Sequence, residues 1–131
     1  MGISICWDND EKTRLRVDME GVWTWDDQQV AADEFIAMIT SVAHQVDFIS
    51  ILHPGSSVPQ GPVLRHYRNL LKRLPNNFGA AVLVGGTVIE RSLATMAYKI
   101  YQDLNGRIFF AGSLGEARQL LAERRVNSGT D

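Results

Sequence analysis

One stretch of the sequence, residues 46–74, constrains the fold most strongly. It begins with the nearly uninterrupted apolar run VDFISIL, continues through the polar segment HPGSSVPQG, and ends in the amphipathic segment PVLRHYRNLLKRL. Strands of parallel sheets are covered on both faces and therefore read as continuous apolar runs. The stretch predicts a buried parallel strand, a loop at the carboxyl end of that strand, and a helix that packs back on the sheet.

The rest of the chain alternates strands and helices in the same way. The segments FGAAVLV at 78–84 and RIFFA at 107–111 predict two further buried strands. Three other helices each begin with a capping box, in which a hydroxyl and an acidic side chain three positions later bond free backbone N–H groups. The boxes are Thr24 with Asp27, Thr87 with Glu90, and Ser113 with Glu116.

The N-terminal residues predict a β-hairpin. Ile3–Trp7 and Leu15–Met19 are β-prone runs that flank the turn-forming cluster DNDEKT. With the alternation above, the predicted order is ββαβαβαβα, a single-domain α/β fold with a mostly parallel sheet, an N-terminal antiparallel hairpin and helices on its faces. We assign the domain to residues 1–125 and interpret residues 126–131 as a flexible C-terminal tail.

Apolar spacing predicts which side of each helix is buried. The expected core stripe of the first helix is Ala31, Phe35, Met38, Ile39 and Val42. The expected stripe of the helix after Thr87 is Ile89, Leu93, Met96, Ala97, Ile100 and Leu104. Cys6 lies in the first strand without a basic neighbour in sequence, and we expect it to be a small core side chain.

Composition excludes several function classes. The 131 residues carry a net charge of −2, which gives no overall attraction to nucleic acid or to an anionic membrane. A single cysteine cannot form an internal disulfide, no apolar run reaches membrane-spanning length, and we expect no secretory leader before the first strand. We therefore expect a cytoplasmic domain that neither spans a membrane nor binds nucleic acid.

Three segments resemble the STAS or SpoIIAA-like family, the anti-sigma-factor antagonist fold, and especially its divergent STAS/SEC14-like branch. They are ISICWDND with RVDMEGVWTWDD, then FISILHPGSSVPQG, and then LLKRLPNNFGAAVLVGG. The resemblance covers nearly the whole chain together with the order of its elements. It implies a SpoIIAA-like fold and a non-enzymatic regulatory module that binds another protein.

The family resemblance also implies a phosphoswitch that this sequence lacks. In partner-switching members, the loop after the third strand presents an Asp-Ser pair just before a glycine at the next helix, and phosphorylation of that serine breaks a complex. Gly61 is the candidate for that glycine, but Val58, Pro59 and Gln60 precede it. We therefore predict that Ser56→Asp and Ser57→Asp leave stability and partner affinity nearly unchanged.

The sequence offers no catalytic, cofactor or metal constellation. Its histidines, His44, His53 and His66, lie on different elements with no cysteine or carboxylate at metal-binding spacing. Ser56 with His53 lacks the third, orienting member of a nucleophilic triad. The turn Gly85-Gly86 lacks the remaining residues of a phosphate-binding loop.

The loop after the third strand and the basic helix form the candidate partner surface. We expect Arg65, His66, Arg68, Lys72 and Arg73 outside, and the apolar residues of this helix inside. An acidic protein surface is the partner that this charge favours, a solvated face is the alternative, and a homodimer remains open. The candidate surface comprises His53, Ser56, Ser57, Gln60, Arg65, Arg68 and Lys72.

The three tryptophans suggest a second function. Trp7, Trp23 and Trp25 all lie within the first 25 residues and are candidates to line an apolar cleft, although core packing is the simpler interpretation. SEC14-like relatives bind lipids, so the alternative function is binding of a small apolar, lipid-like ligand. A dry cavity of about 300 Å³ or more favours that alternative, whereas a filled core favours the interaction module.

Overall fold

The computed structural model describes residues 2–100 and 106–129, with the predicted element order ββαβαβαβα. One sheet has the strand order β1-β2-β3-β4-β5, in which β1 and β2 are antiparallel and all other neighbours are parallel. The α/β class, the hairpin and the parallel pairing of the two central strands are confirmed. The strands are β1 (Ile3–Trp7), β2 (Arg14–Met19), β3 (Val46–Leu52), β4 (Phe78–Val84) and β5 (Ile108–Ala111).

The helices cover the two faces of the sheet unequally. They are α1 (Trp25–Thr40), α2 (Val63–Lys72), α3 (Val88–Ile100) and α4 (Leu114–Gly129). The crossovers from β2 to β5 all step in the same direction, and right-handed crossovers then put α1, α2 and α3 on one face. We call this the front face, and an apolar cluster lies beneath its helices. The back face carries α4 over a second apolar cluster.

Capping begins the helices as predicted. Thr24 and Asp27 form both bonds of a capping box at α1. The α3 box pairs Thr87 with Glu90 in the same reciprocal way. At α4 the Ser113 hydroxyl accepts the Glu116 N–H at 3.2 Å, as expected for a capped start. Among the described residues, none of these helices has the length and apolar character needed to cross a membrane.

Two helices differ from the sequence-based expectations in extent or orientation. Helix α4 continues through Gly129, four residues past the expected domain boundary at residue 125, and residues 130 and 131 lie outside the described part. In α3, Ile89 and Met96 are exposed, while Ala94 and Ala97 are buried. Apolar residues occur on both sides of α3, and the small side chains of Ala94 and Ala97 let this helix lie close to α2. The side chain of Ile100 and all of Leu104 lie outside the described residues.

Cys6 is exposed, which contradicts the expectation of a core side chain. Strand residues alternate between faces, and in β1 Ile3 and Ile5 are half-buried while Ser4 and Cys6 are exposed. The front helices cover one side of this strand, whereas α4 lies over β3, β4 and β5. The back side of the hairpin is therefore open at Cys6.

Two carboxylates fix α4 to the back face. The Asp8 side chain is only 2% exposed and accepts hydrogen bonds from Arg14 at 2.6 Å and Arg118 at 2.7 Å. Burial opposes ionisation, but these bonds outweigh it and hold the pKa of Asp8 below its ordinary value. Asp47 in β3 likewise accepts from Arg125 of α4 at 2.9 Å. Arg118 and Arg125 both project from α4 toward the sheet.

Asp47 also bonds a backbone N–H group at an irregularity in the sheet. The pairing of β3 with β4 shifts register just after Val46. There the Asp47 carboxylate accepts the backbone N–H of Ala80 at 2.9 Å, which satisfies a donor in a fully buried place. Gly79 leaves the necessary space, since a Cβ at that position would lie 2.1 Å from the carboxylate. The charge of Asp47 therefore serves both the strand pairing and the anchoring of α4.

Candidate functional site

The loop of residues 53–61 leaves β3 at the carboxyl end of the parallel strands and is fastened to the end of β2. The His53 backbone N–H donates to the Met19 carbonyl at 3.0 Å. The Ser56 hydroxyl donates to the Gly21 carbonyl at 2.8 Å and accepts from the Trp23 indole N–H at 3.2 Å. These bonds hold the first half of the loop against the chain segment that follows β2.

The two candidate serines are therefore not equivalent. Ser57 is exposed, whereas Ser56 is half-buried and uses its hydroxyl both as donor and as acceptor. An aspartate at position 56 cannot donate to the Gly21 carbonyl. These two bonds, to residues 33 and 35 positions away, give a physical reason for Ser56→Asp to lower stability, and we revise the prediction for this substitution accordingly. For Ser57→Asp the expectation stands as a prediction.

Glu90 ties the second half of the loop to α3. One carboxylate oxygen caps the helix by accepting the Thr87 N–H at 2.8 Å. The other oxygen accepts the Val58 N–H at 2.9 Å. The sequence identified the capping box but not this second bond, which joins residues 32 positions apart. A single side chain thus sets both the start of α3 and the path of the loop.

Trp25 covers the junction between α1, α2 and the loop. Its indole N–H donates to the Gln60 carbonyl at 3.0 Å, and its ring stacks on the imidazole of His66 with centroids 4.2 Å apart. Gly61 has φ +123°, and a Cβ there would lie 3.3 Å from the Trp25 nitrogen, so a glycine suits this turn. His66 was expected outside the helix, but it is half-buried. Within the described chain its Nδ1 is buried without a hydrogen-bond partner.

An apolar pocket of about 120 Å³ lies between the front helices and the sheet, and we call it the tryptophan pocket. Trp23 and Trp25 both line it, with ring centroids 5.6 Å apart in an edge-to-face arrangement. Trp7 does not belong to it. The antiparallel hairpin pairs Trp7 with Leu15 at the start of β2, whereas the other two tryptophans follow the end of β2. The three indoles are therefore close in sequence but divided between opposite ends of the sheet.

The tryptophan pocket contains a few polar groups in an otherwise apolar wall. Its hydroxyl-bearing side chains are Ser50, Tyr67 and Tyr98. Burial raises the pKa of Tyr67 to about 12, with the charge of Glu90 adding to the effect. Burial also raises the pKa of Tyr98. Both phenols therefore stay neutral at physiological pH and can act as hydrogen-bond donors inside the pocket.

An imidazole meets two carboxylates at the edge of the loop. Nε2 of His53 lies 2.7 Å from Oδ1 of Asp18 and 3.6 Å from Oε1 of Glu20. Burial opposes ionisation of Asp18, but hydrogen bonds from Arg16 and His53 outweigh it and lower its pKa. Spacing along the chain did not reveal this cluster, because Asp18 and His53 are 35 positions apart. Parallel pairing of Met19 with Leu52 brings them together, and that pairing was the signal that sequence reasoning left unused.

The remaining candidate surface residues lie where solvent reaches them. Ser57 and Gln60 are exposed on the loop, and Arg65, Arg68 and Lys72 are exposed on α2. By contrast, Arg73 pairs with Asp33 of α1 and His53 is engaged by Asp18. A groove of about 410 Å³ runs between residues 53–57 and residues 84–87, at the carboxyl ends of β3 and β4. Ligands of open α/β sheets bind outside this end of the strands.

No family model matches the chain, and neither a curated protein nor a solved structure matches it.

Proposed function

We propose that the chain is a non-enzymatic regulatory module of the SpoIIAA-like type that docks an acidic protein partner through α2 and residues 53–61. The carrying observation is the basic face of α2. Arg65, Arg68 and Lys72 recur three and four positions apart, lie on one side of the helix, and are exposed. The helix segment Val63–Lys72 contains no acidic residue.

The positive charge on this face of α2 is local to one region of the protein. The whole chain carries −2, so a cationic helix is a local feature rather than a share of a general excess. Complementary potential speeds encounter and excludes partners of the wrong sign more than it adds affinity. The charge of α2 therefore orients an acidic partner during the encounter, and the association rate falls as the salt concentration increases.

The element order ββαβαβαβα and the consecutive strand order support the SpoIIAA-like part of the proposal. The module works without a serine phosphoswitch. Ser57 is exposed but is followed by Val58-Pro59-Gln60, and Ser56 is held by Trp23 and Gly21.

The test is quantitative affinity purification from the cells that make the protein, with three baits. Arg65→Glu/Lys72→Glu reverses the basic face, and Lys12→Glu/Lys99→Glu makes the same change in net charge at other exposed lysines. We expect the wild type and the Lys12/Lys99 variant to enrich the same acidic protein, and the α2 variant to lose it at least tenfold. Titration calorimetry with that purified protein then measures the affinities. Equal loss in both variants contradicts the proposal.

The tryptophan pocket favours a second candidate function, binding of a small apolar ligand. Its volume of about 120 Å³ is smaller than the roughly 300 Å³ of typical ligand pockets. It therefore fits a short apolar chain rather than a whole lipid. The test is a titration with octanoate in which tryptophan fluorescence reports binding. We expect saturable 1:1 binding that Ala94→Leu in the pocket wall abolishes and Ala122→Leu on exposed α4 leaves intact. A linear, non-saturating response rejects this candidate.

A further inference from the structure

The cluster of Asp18, Glu20 and His53 contains donor atoms of two kinds that metals bind. Asp18 and Glu20 are two positions apart at the end of β2, so their carboxylates lie on the same side of the extended chain. The imidazole belongs to His53, the residue that follows β3. One donor atom from each residue lies within 4.8 Å of the others. The pairing of β2 with β3 does not by itself require an imidazole and two carboxylates to come together at this place.

One backbone bond and one side-chain bond fix the spacing of these donors. His53 donates its N–H to the Met19 carbonyl at 3.0 Å, between the two carboxylate residues. Ser56 donates to the Gly21 carbonyl at 2.8 Å, immediately after Glu20. The loop is therefore held at both sides of the cluster, and the imidazole does not need a large rearrangement to reach either carboxylate.

Arg16 orients the first carboxylate. Its guanidinium donates to both oxygens of Asp18, at 2.8 Å and 3.0 Å, and so holds the plane of the group. Carboxylates that bind metals are commonly held by such an outer hydrogen bond. The guanidinium charge opposes a cation, but two carboxylates stand against one guanidinium, and the side chain of Glu20 is 70% exposed, so an ion from solvent can reach it.

We infer that Asp18, Glu20 and His53 form a binding site for a divalent transition-metal ion, with zinc as the best match. Zinc accepts imidazole nitrogen and carboxylate oxygen together at about 2.0 to 2.2 Å, so its ligand atoms stand roughly 3.3 Å apart in tetrahedral geometry. The distances of 2.7 Å and 3.6 Å from His53 Nε2 bracket that separation. Magnesium and calcium prefer all-oxygen sites. Three protein ligands leave a coordination position for water.

Metal binding at this place joins the end of β2 to the loop. His53 is the first residue after β3 and also lines the groove of about 410 Å³. A bound ion therefore adds a third link to the two hydrogen bonds, from the His53 N–H and the Ser56 hydroxyl, that hold residues 53–56. This inference is independent of the proposed docking function, since it concerns the ion alone and no partner protein.

The experiment is calorimetric titration of the full chain with zinc chloride, after removal of bound metal by a chelator. Glu20→Gln removes an exposed ligand and His53→Ala removes the nitrogen. His44→Ala is the matched control, because His44 is an exposed histidine whose Nε2 contacts the Lys12 carbonyl away from the cluster. We expect 1:1 binding by the wild type and by His44→Ala, and at least tenfold weaker binding by the other two variants.

Cobalt(II) absorption gives a second readout, because its visible bands report coordination by the protein directly. Circular dichroism establishes that each variant is folded, and Glu20→Gln keeps the test valid if His53→Ala unfolds. Absence of saturable zinc binding by the wild type overturns the inference. So does wild-type affinity in folded Glu20→Gln and His53→Ala, or a loss confined to His44→Ala. Weakened partner docking with normal zinc binding contradicts only the proposed function.

Discussion

The front and back faces of the sheet are stabilised by different chemistry. Three helices cover the front face with apolar side chains, and they leave a pocket of about 120 Å³. One helix covers the back face, and it is held through the buried carboxylates of Asp8 and Asp47 as well as through apolar contacts. A single helix cannot exclude water from a five-stranded sheet, so charged anchors fix its position. Three helices exclude water without such anchors and can retain empty space.

The largest expected effect is on the front face. Phe35 is 4% exposed and packs edge-to-face on Phe48 with centroids 5.1 Å apart. We expect Phe35→Ala to lower the free energy of unfolding by about 3 to 5 kcal/mol, because it removes buried area and enlarges the pocket. Urea denaturation measures the loss. Val30→Ala on the exposed side of α1 is the control, with a change within about 0.5 kcal/mol. Similar losses in both variants contradict the orientation of α1.

The back face should respond to loss of charge instead. Asp8→Asn keeps the size of the side chain but removes the charge that Arg14 and Arg118 bond. We expect a loss of about 1.5 to 3 kcal/mol at neutral pH, the range for hydrogen bonds to charged groups. Urea denaturation again measures it, with Asp10→Asn, at an exposed position of the same turn, as control. A loss no greater than that of the control means that Asp8 does not anchor α4.

Acid should remove this difference between Asp8→Asn and the wild type. The pKa of Asp8 is lowered in the folded protein, so its contribution is complete above the unfolded value of about 3.9. It disappears as pH falls through the lower folded pKa, because protons then bind both states alike. Denaturation of both proteins at a series of pH values tests this. A stability gap that widens on acidification contradicts the sign of the shift.

A smaller effect separates the two loop serines. Ser56→Asp loses the bond to the Gly21 carbonyl and disturbs the Trp23 contact. We expect a cost of about 1 to 2 kcal/mol. Ser57→Asp changes an exposed side chain and should stay within about 0.5 kcal/mol. Thermal unfolding, monitored by tryptophan fluorescence, compares the stability of the two variants. Equal stability contradicts the hydrogen-bonded role of Ser56.

The smallest effect on stability is expected on the outer side of α2. Arg65→Ala removes an exposed charge and should change the free energy of unfolding by no more than about 0.5 kcal/mol. Urea denaturation measures this directly. A loss above about 1 kcal/mol means that Arg65 stabilises the front layer, and the basic face then has a structural role that competes with docking.

Sequence reasoning succeeded where a single segment determines the outcome. The strands at 46–52 and 78–84 have the predicted bounds, because apolar residues fill both of their sides. The Thr24 and Thr87 caps were found because a capping box lies within four consecutive residues. The helical phase of α3 failed because Ile89 and Ala94 are both apolar, and periodicity alone does not choose between them.

The candidate site depends on contacts between distant segments, and most of it was missed. His53 meets Asp18, and Glu90 meets the backbone of Val58, only because neighbouring strands end at the same edge of the sheet. Trp7 was grouped with the other tryptophans on sequence proximity, whereas the hairpin sends it to the opposite end. The register of β2 against β3 was the missing quantity for the contact of His53 with Asp18.

The consecutive strand order has a consequence for the way the chain folds as it is made. Each strand pairs with the one synthesised just before it, so the sheet and its front layer can assemble in the order in which they leave the ribosome. Asp8 is different, because its partner Arg118 lies 110 positions later. Through most of synthesis this early carboxylate has only Arg14 beside it. Helix α4 therefore closes the turn between β1 and β2 only after all five strands are made, and a nascent chain that stalls before α4 keeps its strand order but leaves its back face open to water.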